Sequence, residues 1–311
     1  MTIQSTVLIG NGPNRANEKD ILEVGNVEIS WHSLLADLSK FAGIDIRNID
    51  SKPLTLVFDE ILLRSRKPNI KLALLKEVSN KIFLARNAEL TKRLSELTKV
   101  MLTTNYSWAT FDSPEFGLFL HKKFPEINEN TFSIFRGFKG DKREIWFING
   151  SSDTPTSLAL GYMQYARHQT QIKNYLTGGV SYSKIKIPNS PLYRGIPQFD
   201  FDKKKEPYSW VDLFLRDHIH MIGLGMEYTE TILWWLLIEK MHLQRKYPKY
   251  IGGVTYHQVD VKGKPEKNID DKLNMLEDLG VQVNRVSAPS YFDGYMMIAD
   301  QISPKVRKAK K

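Results

Sequence analysis

Leu8-Ile9-Gly10-Asn11-Gly12 is the stretch on which the fold turns. With Thr6 and Val7 before it, it is an apolar run that stops at small and polar residues. A parallel strand buried on both faces reads this way when its C-terminal end opens into a ligand crevice. Three later stretches repeat the pattern: Leu102-Thr103-Thr104-Asn105-Tyr106, Trp146-Phe147-Ile148-Asn149-Gly150 and Met221-Ile222-Gly223-Leu224-Gly225. Around them strand patterns alternate with helical ones. The expected fold is α/β: a Rossmann-like, mostly parallel sheet with helices on both faces, plus helical insertions.

The spacing predicts strands over 6–10, 100–104, 131–136, 145–148, 218–223, 251–260 and 281–286. A helix is predicted over 31–40, with Ser30 as N-cap and Leu34, Leu35, Leu38 and Phe41 on one face. Further helices are predicted over 162–176, 210–215, 229–246 and 269–279, the last closed by Gly280. Residues 11–25 read as a polar loop and 137–143 as a polar turn. One domain is expected over 1–290. It is interrupted by a helical insertion at 47–98, whose simplest role is to cover the sheet, and by a loop-rich excursion at 177–207. Residues 291–311 are expected to form a C-terminal tail, basic and disordered at its end.

An apolar content of 41% and a charged content of 25% are ordinary for a soluble globular protein. The absence of cysteine excludes disulfides, thiolate catalysis and cysteine-based zinc sites. No basic segment followed by a long apolar one opens the chain. The longest apolar run, 232–238, falls far short of the roughly 20 residues of a membrane span. A cytoplasmic protein with no membrane partner is therefore expected. The net charge is +9, and five of those charges (Lys305, Arg307, Lys308, Lys310 and Lys311) lie in the tail. That tail reads first as a solvated end and second as a segment touching a polyanion. Nucleic acid is otherwise not expected as a partner, since no nucleic-acid motif occurs elsewhere.

Gly10 and Gly12 would give a phosphate room to approach backbone amides, although Arg15 stands where a dinucleotide fingerprint has its third glycine. The plainer reading is a strand-to-loop turn. Asn105 brings a donor and an acceptor to a strand end, suited to ribose hydroxyls or a water, or else to its own turn. Gly223 and Gly225 would let a ligand lie against bare backbone. Glu227 and Glu230, near the start of an apolar helix, read as structural carboxylates, and Trp234 and Trp235 as core. His218 and His220 would share one face of a strand. No third ligand is evident, so no metal is expected.

These four stretches, together with 157–165 and 217–235, resemble the bacterial sirtuin-like proteins of anti-phage defence, over most of residues 6–286. The resemblance implies NAD bound in a Rossmann-like crevice and hydrolysed to nicotinamide and ADP-ribose. It implies Gly10 and Gly12 along the phosphates, Asn105 at the nicotinamide ribose, and Gly223 and Gly225 against the adenosine half, with Asn11, Thr104 and Gly150 completing the binding set. No zinc is implied, because the zinc-binding cysteines of lysine-deacylating members are absent. Asn105 and Asn149 are the candidate catalytic residues. The family's general-base histidine, however, stands where this chain has Asn149, and Ser107 stands where an acid commonly follows Asn-Tyr. An asparagine side chain cannot take up a proton. Two expectations follow. One is an NAD glycohydrolase acting as a defence effector, relying on positioning and excluded water, with Asp112, His121, Asp153 or His168 as substitute bases. The other is a catalytically degenerate NAD- or ADP-ribose-binding subunit or sensor. Such proteins assemble with themselves or with a partner such as a HerA-type ATPase or a prokaryotic Argonaute. A homo-oligomer or a complex of that kind is expected.

Overall fold

Along β1 (Ser5–Ile9) successive side chains leave on opposite faces, as the period of an extended chain requires. Val7 and Ile9 enter one apolar cluster, Leu8 another, and all three are fully buried. The computed structural model describes residues 3–16, 31–83, 88–106, 117–120, 134–140, 143–152, 154–178, 180–182, 185–187, 189–191, 209–263 and 268–303. The other strands are β2 (Val100–Thr103), β3 (Gly117–Leu120), β4 (Arg136–Lys139), β5 (Glu144–Phe147), β6 (Val180–Tyr182), β7 (Ile185–Ile187), β8 (His218–Ile222), β9 (Val254–Val261) and β10 (Gln282–Ala288). The helices are α1 (Gly12–Arg15), α2 (Trp31–Ala42), α3 (Leu54–Arg64), α4 (Ile70–Phe83), α5 (Ala88–Ser95), α6 (Tyr162–Thr177), α7 (Trp210–Arg216), α8 (Thr231–Lys246), α9 (Ile269–Asp278) and α10 (Tyr291–Ile302).

One sheet runs in the order β10-β9-β8-β1-β2-β5-β4-β3. Its members are parallel from β10 to β5, while β4 and β3 are antiparallel at one edge. Numbered by chain order, the six parallel strands lie 3-2-1-4-5-6, the order of a dinucleotide-binding Rossmann sheet. The chain steps outward from β1 through β2 to β5, then returns to lay β8 on the other side of β1. The topological switch point is therefore between β1 and β8.

Both sheet faces are covered. Leu8, Leu102, Trp146, Ile219 and Met221 pack beneath α6, α7, α8 and α9. Val7, Ile9, Met101, Phe147 and Ile222 pack against α5 and α10. Burial on both sides is why these strands read as near-continuous apolar runs. The insertion at 47–98 divides its work. Only α5 covers a sheet face. Helices α3 and α4 join α2 in a separate apolar cluster with Tyr106, Leu158 and Leu160, from the loops after β2 and β5. That cluster thus packs on the strand-end loops rather than on the sheet.

Two expectations need correction. Residues 137–139, expected in a turn, belong to the strand Arg136–Lys139, and the turn shrinks to a hairpin closed by the Gly140 amide on the Arg143 carbonyl at 2.9 Å; of the strand expected at 131–136, residues 131–133 lie outside the described residues. Phe138 decides this, because it packs edge-on against Phe147 across β5. The tail expected from 291 begins with α10, whose Tyr295, Ile298 and Ala299 are buried under β9 and β10 and whose N-cap Ser290 accepts from the Asp293 amide. The excursion at 177–207 includes a hairpin of β6 and β7. Ser30, Ser107, Asp112, His121, Asp153 and the basic residues 305–311 lie outside the described residues. Among the described residues no helix is long and apolar enough to cross a membrane.

Polar groups tie the start of β1 to β8. The Thr6 hydroxyl donates to buried Asp217 at 2.8 Å, and the Arg216 Nε donates to its other oxygen at 2.7 Å. The fully buried Lys240 of α8 donates to the carbonyls of Leu215 and Asp217. Burial pushes its ammonium down to about 7.

Candidate active site at the switch point

The proposed site residues fall on the C-terminal ends of four adjacent strands. Gly10, Asn11 and Gly12 follow β1, Thr104 and Asn105 follow β2, Asn149 and Gly150 follow β5, and Gly223 and Gly225 follow β8. Topology thus brings all nine to one edge of the sheet, on both sides of the switch point, where open α/β sheets bind ligands.

The glycines do not all serve the same purpose. The Gly10 amide donates to the Ile222 carbonyl and the Gly12 amide to the Gly223 carbonyl, both at 2.9 Å. A Cβ on Gly10 would stand 2.4 Å from the Gly223 oxygen, and one on Gly12 2.3 Å from the Tyr295 hydroxyl. The room these two residues leave is filled by the β8 loop. Their amides are committed to it and not held out toward a phosphate. Gly225 is different: it is exposed, and a Cβ there would meet nothing closer than Glu227 Oε1 at 3.5 Å.

Asn105 is buried and straps two strand ends together, its Nδ2 donating to the Gly10 carbonyl at 3.0 Å. The Thr104 amide donates to the Ile9 carbonyl. Asn149 stands level with Asn105, each two residues beyond the paired Thr103 and Phe147. It is buried, and its carbonyl accepts from the Ala159 amide. Its carboxamide meets no hydrogen-bonding group among the described residues. Gly150 has φ +93°, and a Cβ there would stand 2.2 Å from the Ser157 carbonyl oxygen. Ser157 holds this turn by accepting from the Ser151 amide and donating to the Thr154 carbonyl.

The carboxylates at 227 and 230 differ in their surroundings. Glu227 is exposed, but Glu230, at the N-cap of α8, is partly buried. Burial pushes its carboxyl up to about 7, and the Glu227 charge adds to the shift. Burial raises the phenols of Tyr106 and Tyr165, and the Glu230 charge adds a smaller upward push to both. Those hydroxyls bond to each other, and the Tyr106 hydroxyl donates to the Ala159 carbonyl at 2.9 Å. Sequence offered only an acid near a helix start. Its burial is decided by the fold.

No protein-family model matches this chain, and no curated protein is similar to it.

The histidine pair gains a third member. His218 and His220 do share a face, with ring centroids 4.7 Å apart, and His257 of β9 joins them, its Nε2 lying 3.1 Å from His220 Nδ1. Asn284 of β10 lies 2.9 Å from the other nitrogen of His257. Among the described residues no group of three or more histidines or acids is arranged to hold a metal ion. His168, a candidate substitute base, is fully buried on α6 beside Trp210, and burial holds it down at about 3. It is no base at neutral pH.

These histidines set an acid limit on stability. Burial lowers His220 to about 4 and His257 and His168 to about 3. Below the ordinary histidine value of about 6.5 the unfolded chain takes up protons that the fold refuses, so stability falls as pH drops. Glu230, raised to about 7, works in the opposite direction over this window, since the fold keeps its proton while the unfolded chain loses it. Three groups outweigh one. A net loss on the order of 2–3 kcal/mol is expected between about pH 6.5 and 5. Urea unfolding across that range checks it, and a flat profile would refute the buried, neutral histidines.

Proposed function

We propose that this chain binds NAD across the β1–β8 switch point and hydrolyses its nicotinamide–ribose bond, as an effector of the sirtuin-like, anti-phage type. The observation that carries this reading is the 3-2-1-4-5-6 strand order, with every proposed site residue on the C-terminal ends of β5, β2, β1 and β8. Nicotinamide is a good leaving group because it departs from a cationic ring as a neutral molecule. The sugar left behind is electrophilic enough for water, so positioning and water exclusion supply much of the acceleration. The packed Asn105 side chain and the α2–α4 cluster over the strand-end loops suit those two tasks.

A second reading draws on two observations. The Asn149 carboxamide does not titrate near neutral pH, and the Gly10 and Gly12 amides already donate elsewhere. Both favour a catalytically silent NAD or ADP-ribose sensor, working with itself or with a partner such as a HerA-type ATPase. One assay separates the two. Purified protein is incubated with NAD and free nicotinamide is measured, alongside Asn105→Ala and Asn149→His. The hydrolase reading expects release by the native chain and a loss of about 10²-fold or more in Asn105→Ala. Release by Asn149→His from a native chain that releases none would establish the sensor.

A further inference from the structure

A dinucleotide brings phosphate charge to this edge, and the loop after β1 does not meet it, because the Gly10 and Gly12 amides already donate to the carbonyls of Ile222 and Gly223. The loop after β8, residues 223–230, is built the other way round. Four of its carbonyls are taken. Gly223 accepts from the Gly12 amide at 2.9 Å, Leu224 from the Tyr256 hydroxyl at 2.6 Å, Gly225 from the Lys272 ammonium at 3.0 Å, and Glu227 from the Trp234 indole at 3.0 Å. Its amides are not taken. Among the described residues, those of Leu224, Gly225, Met226 and Glu227 meet no acceptor. Leu224 and Met226 are buried, so their amides call for an acceptor that the described residues do not supply.

The backbone of this loop is unusual in the same place. Gly223 and Met226 have φ of +66° and +49°. Left-handed residues are the turns from which anion-binding concavities of successive amides are made. Met226 carries a side chain, so its conformation is disfavoured and is held by the surrounding contacts. Beside it stands a cation. Lys272, partly buried on the first turn of α9, reaches the Gly225 carbonyl with its ammonium 5.8 Å from the centre of the Tyr256 ring, whose own hydroxyl holds Leu224. Gly225 between them is exposed, and a Cβ there would meet nothing closer than 3.5 Å, so a ligand has room against this backbone. Two carboxyls, Glu227 and Glu230, share the loop. Their repulsion of an anion is what a lysine at this point offsets.

We propose that the phosphates of the bound nucleotide sit on the loop after β8 rather than on the loop after β1, with the amides of residues 224–227 as donors and Lys272 as their cation. This inference rests on the reading of the edge as an NAD or ADP-ribose site, and holds for the hydrolase and the sensor alike. A phosphate oxygen accepts from the amides, and the ammonium pairs with it as a point charge on a flexible stem. The interlocking of the two loops then has a use beyond packing. By occupying the Gly10 and Gly12 amides with the Ile222 and Gly223 carbonyls, it fixes the start of the β8 loop in the shape that leaves the following amides open.

The test measures binding of ADP-ribose and of adenosine, which has no phosphate, by calorimetry to the native chain, Lys272→Gln and Lys272→Arg. Lys272→Gln is expected to weaken ADP-ribose by about 10–100-fold and adenosine by less than about threefold, while Lys272→Arg, which keeps the charge, stays within about threefold of native for both. Amide NMR of the native chain gives a second reading. ADP-ribose is expected to move the signals of residues 224–227 and adenosine to leave them in place, with those of Gly10 and Gly12 unmoved by either. If Lys272→Gln binds ADP-ribose as the native chain does, the inference is overturned and the NAD reading stands. Equal weakening of both ligands also overturns it, because the lysine then only shapes the loop. So do amide shifts that fall on Gly10 and Gly12 instead of 224–227, and inorganic pyrophosphate bound as tightly as ADP-ribose, which would mark a seat for free phosphate. A native chain that binds neither ADP-ribose nor NAD refutes the underlying reading as well. If Lys272→Gln does not fold, the amide shifts of the native chain decide.

Discussion

Gly223→Ala is expected to destabilise the fold by about 3–5 kcal/mol, while Gly225→Ala, two residues on, leaves stability within about 0.5 kcal/mol. Gly223 has φ +66°, a left-handed conformation that strains any residue with a side chain. A Cβ there would stand 2.2 Å from Pro13 Cδ and 3.2 Å from Gly12 Cα, and the proline ring is pinned in α1. Backbone strain of about 1–3 kcal/mol and overpacking of about 1–3 kcal/mol add at one position. At Gly225 the nearest atom is the tip of a flexible glutamate at an ordinary 3.5 Å. The contrast separates two uses of glycine. One retained for loop packing weakens the empty protein when replaced. One retained for ligand approach weakens only binding, so ADP-ribose affinity of a fully folded Gly225→Ala reports on the site itself. Urea midpoints for the two variants check this. Equal midpoints would mean that the β1 and β8 loops do not interlock as described.

Asp212→Ala is expected to cost about 3–5 kcal/mol, although Asp212 lies on α7, away from the switch point. Its carboxylate accepts from the Tyr175 hydroxyl at 2.6 Å, from the Ser190 hydroxyl, and from the Ser209 amide at 3.1 Å. Asp212, Tyr175, Ser190 and Ser209 are all fully buried. Truncation strands donors from three parts of the chain, each worth about 1–3 kcal/mol when left unsatisfied. Asp212→Asn keeps one acceptor oxygen and is expected to lose about half as much. Urea unfolding measures both. A cost under about 1 kcal/mol for the alanine would show that the carboxylate does not join α6, the 189–191 segment and the α7 cap.

The Glu230 charge acts on the buried phenols of Tyr106 and Tyr165, and Tyr106 also belongs to the apolar cluster of α2, α3 and α4. Helices inserted between β1 and β2 thus pack on a tyrosine whose phenol responds to a carboxyl on the far side of the switch point. A cover over strand-end loops excludes water as well as adding apolar contact, and exclusion strengthens every charge interaction beneath it.

The strand ends at 10, 105, 149 and 223 were legible because each is a short-range pattern: an apolar run that alternates faces and then breaks at glycine or asparagine. The mostly parallel Rossmann-like sheet followed from the same alternation with helices. The exact strand at 136–139 was not legible, because Phe138 finds its partner Phe147 only across the hairpin. Helix α10 is masked in the sequence by the basic end beyond it, although Tyr295, Ile298 and Ala299 carry helical spacing. The commitment of the Gly10 and Gly12 amides, the meeting of His257 with His220, and the raised carboxyl at 230 are tertiary facts. Periodicity is local, so it can be read along the chain. Desolvation, loop contact and proton affinity are sums over neighbours that only folding brings together.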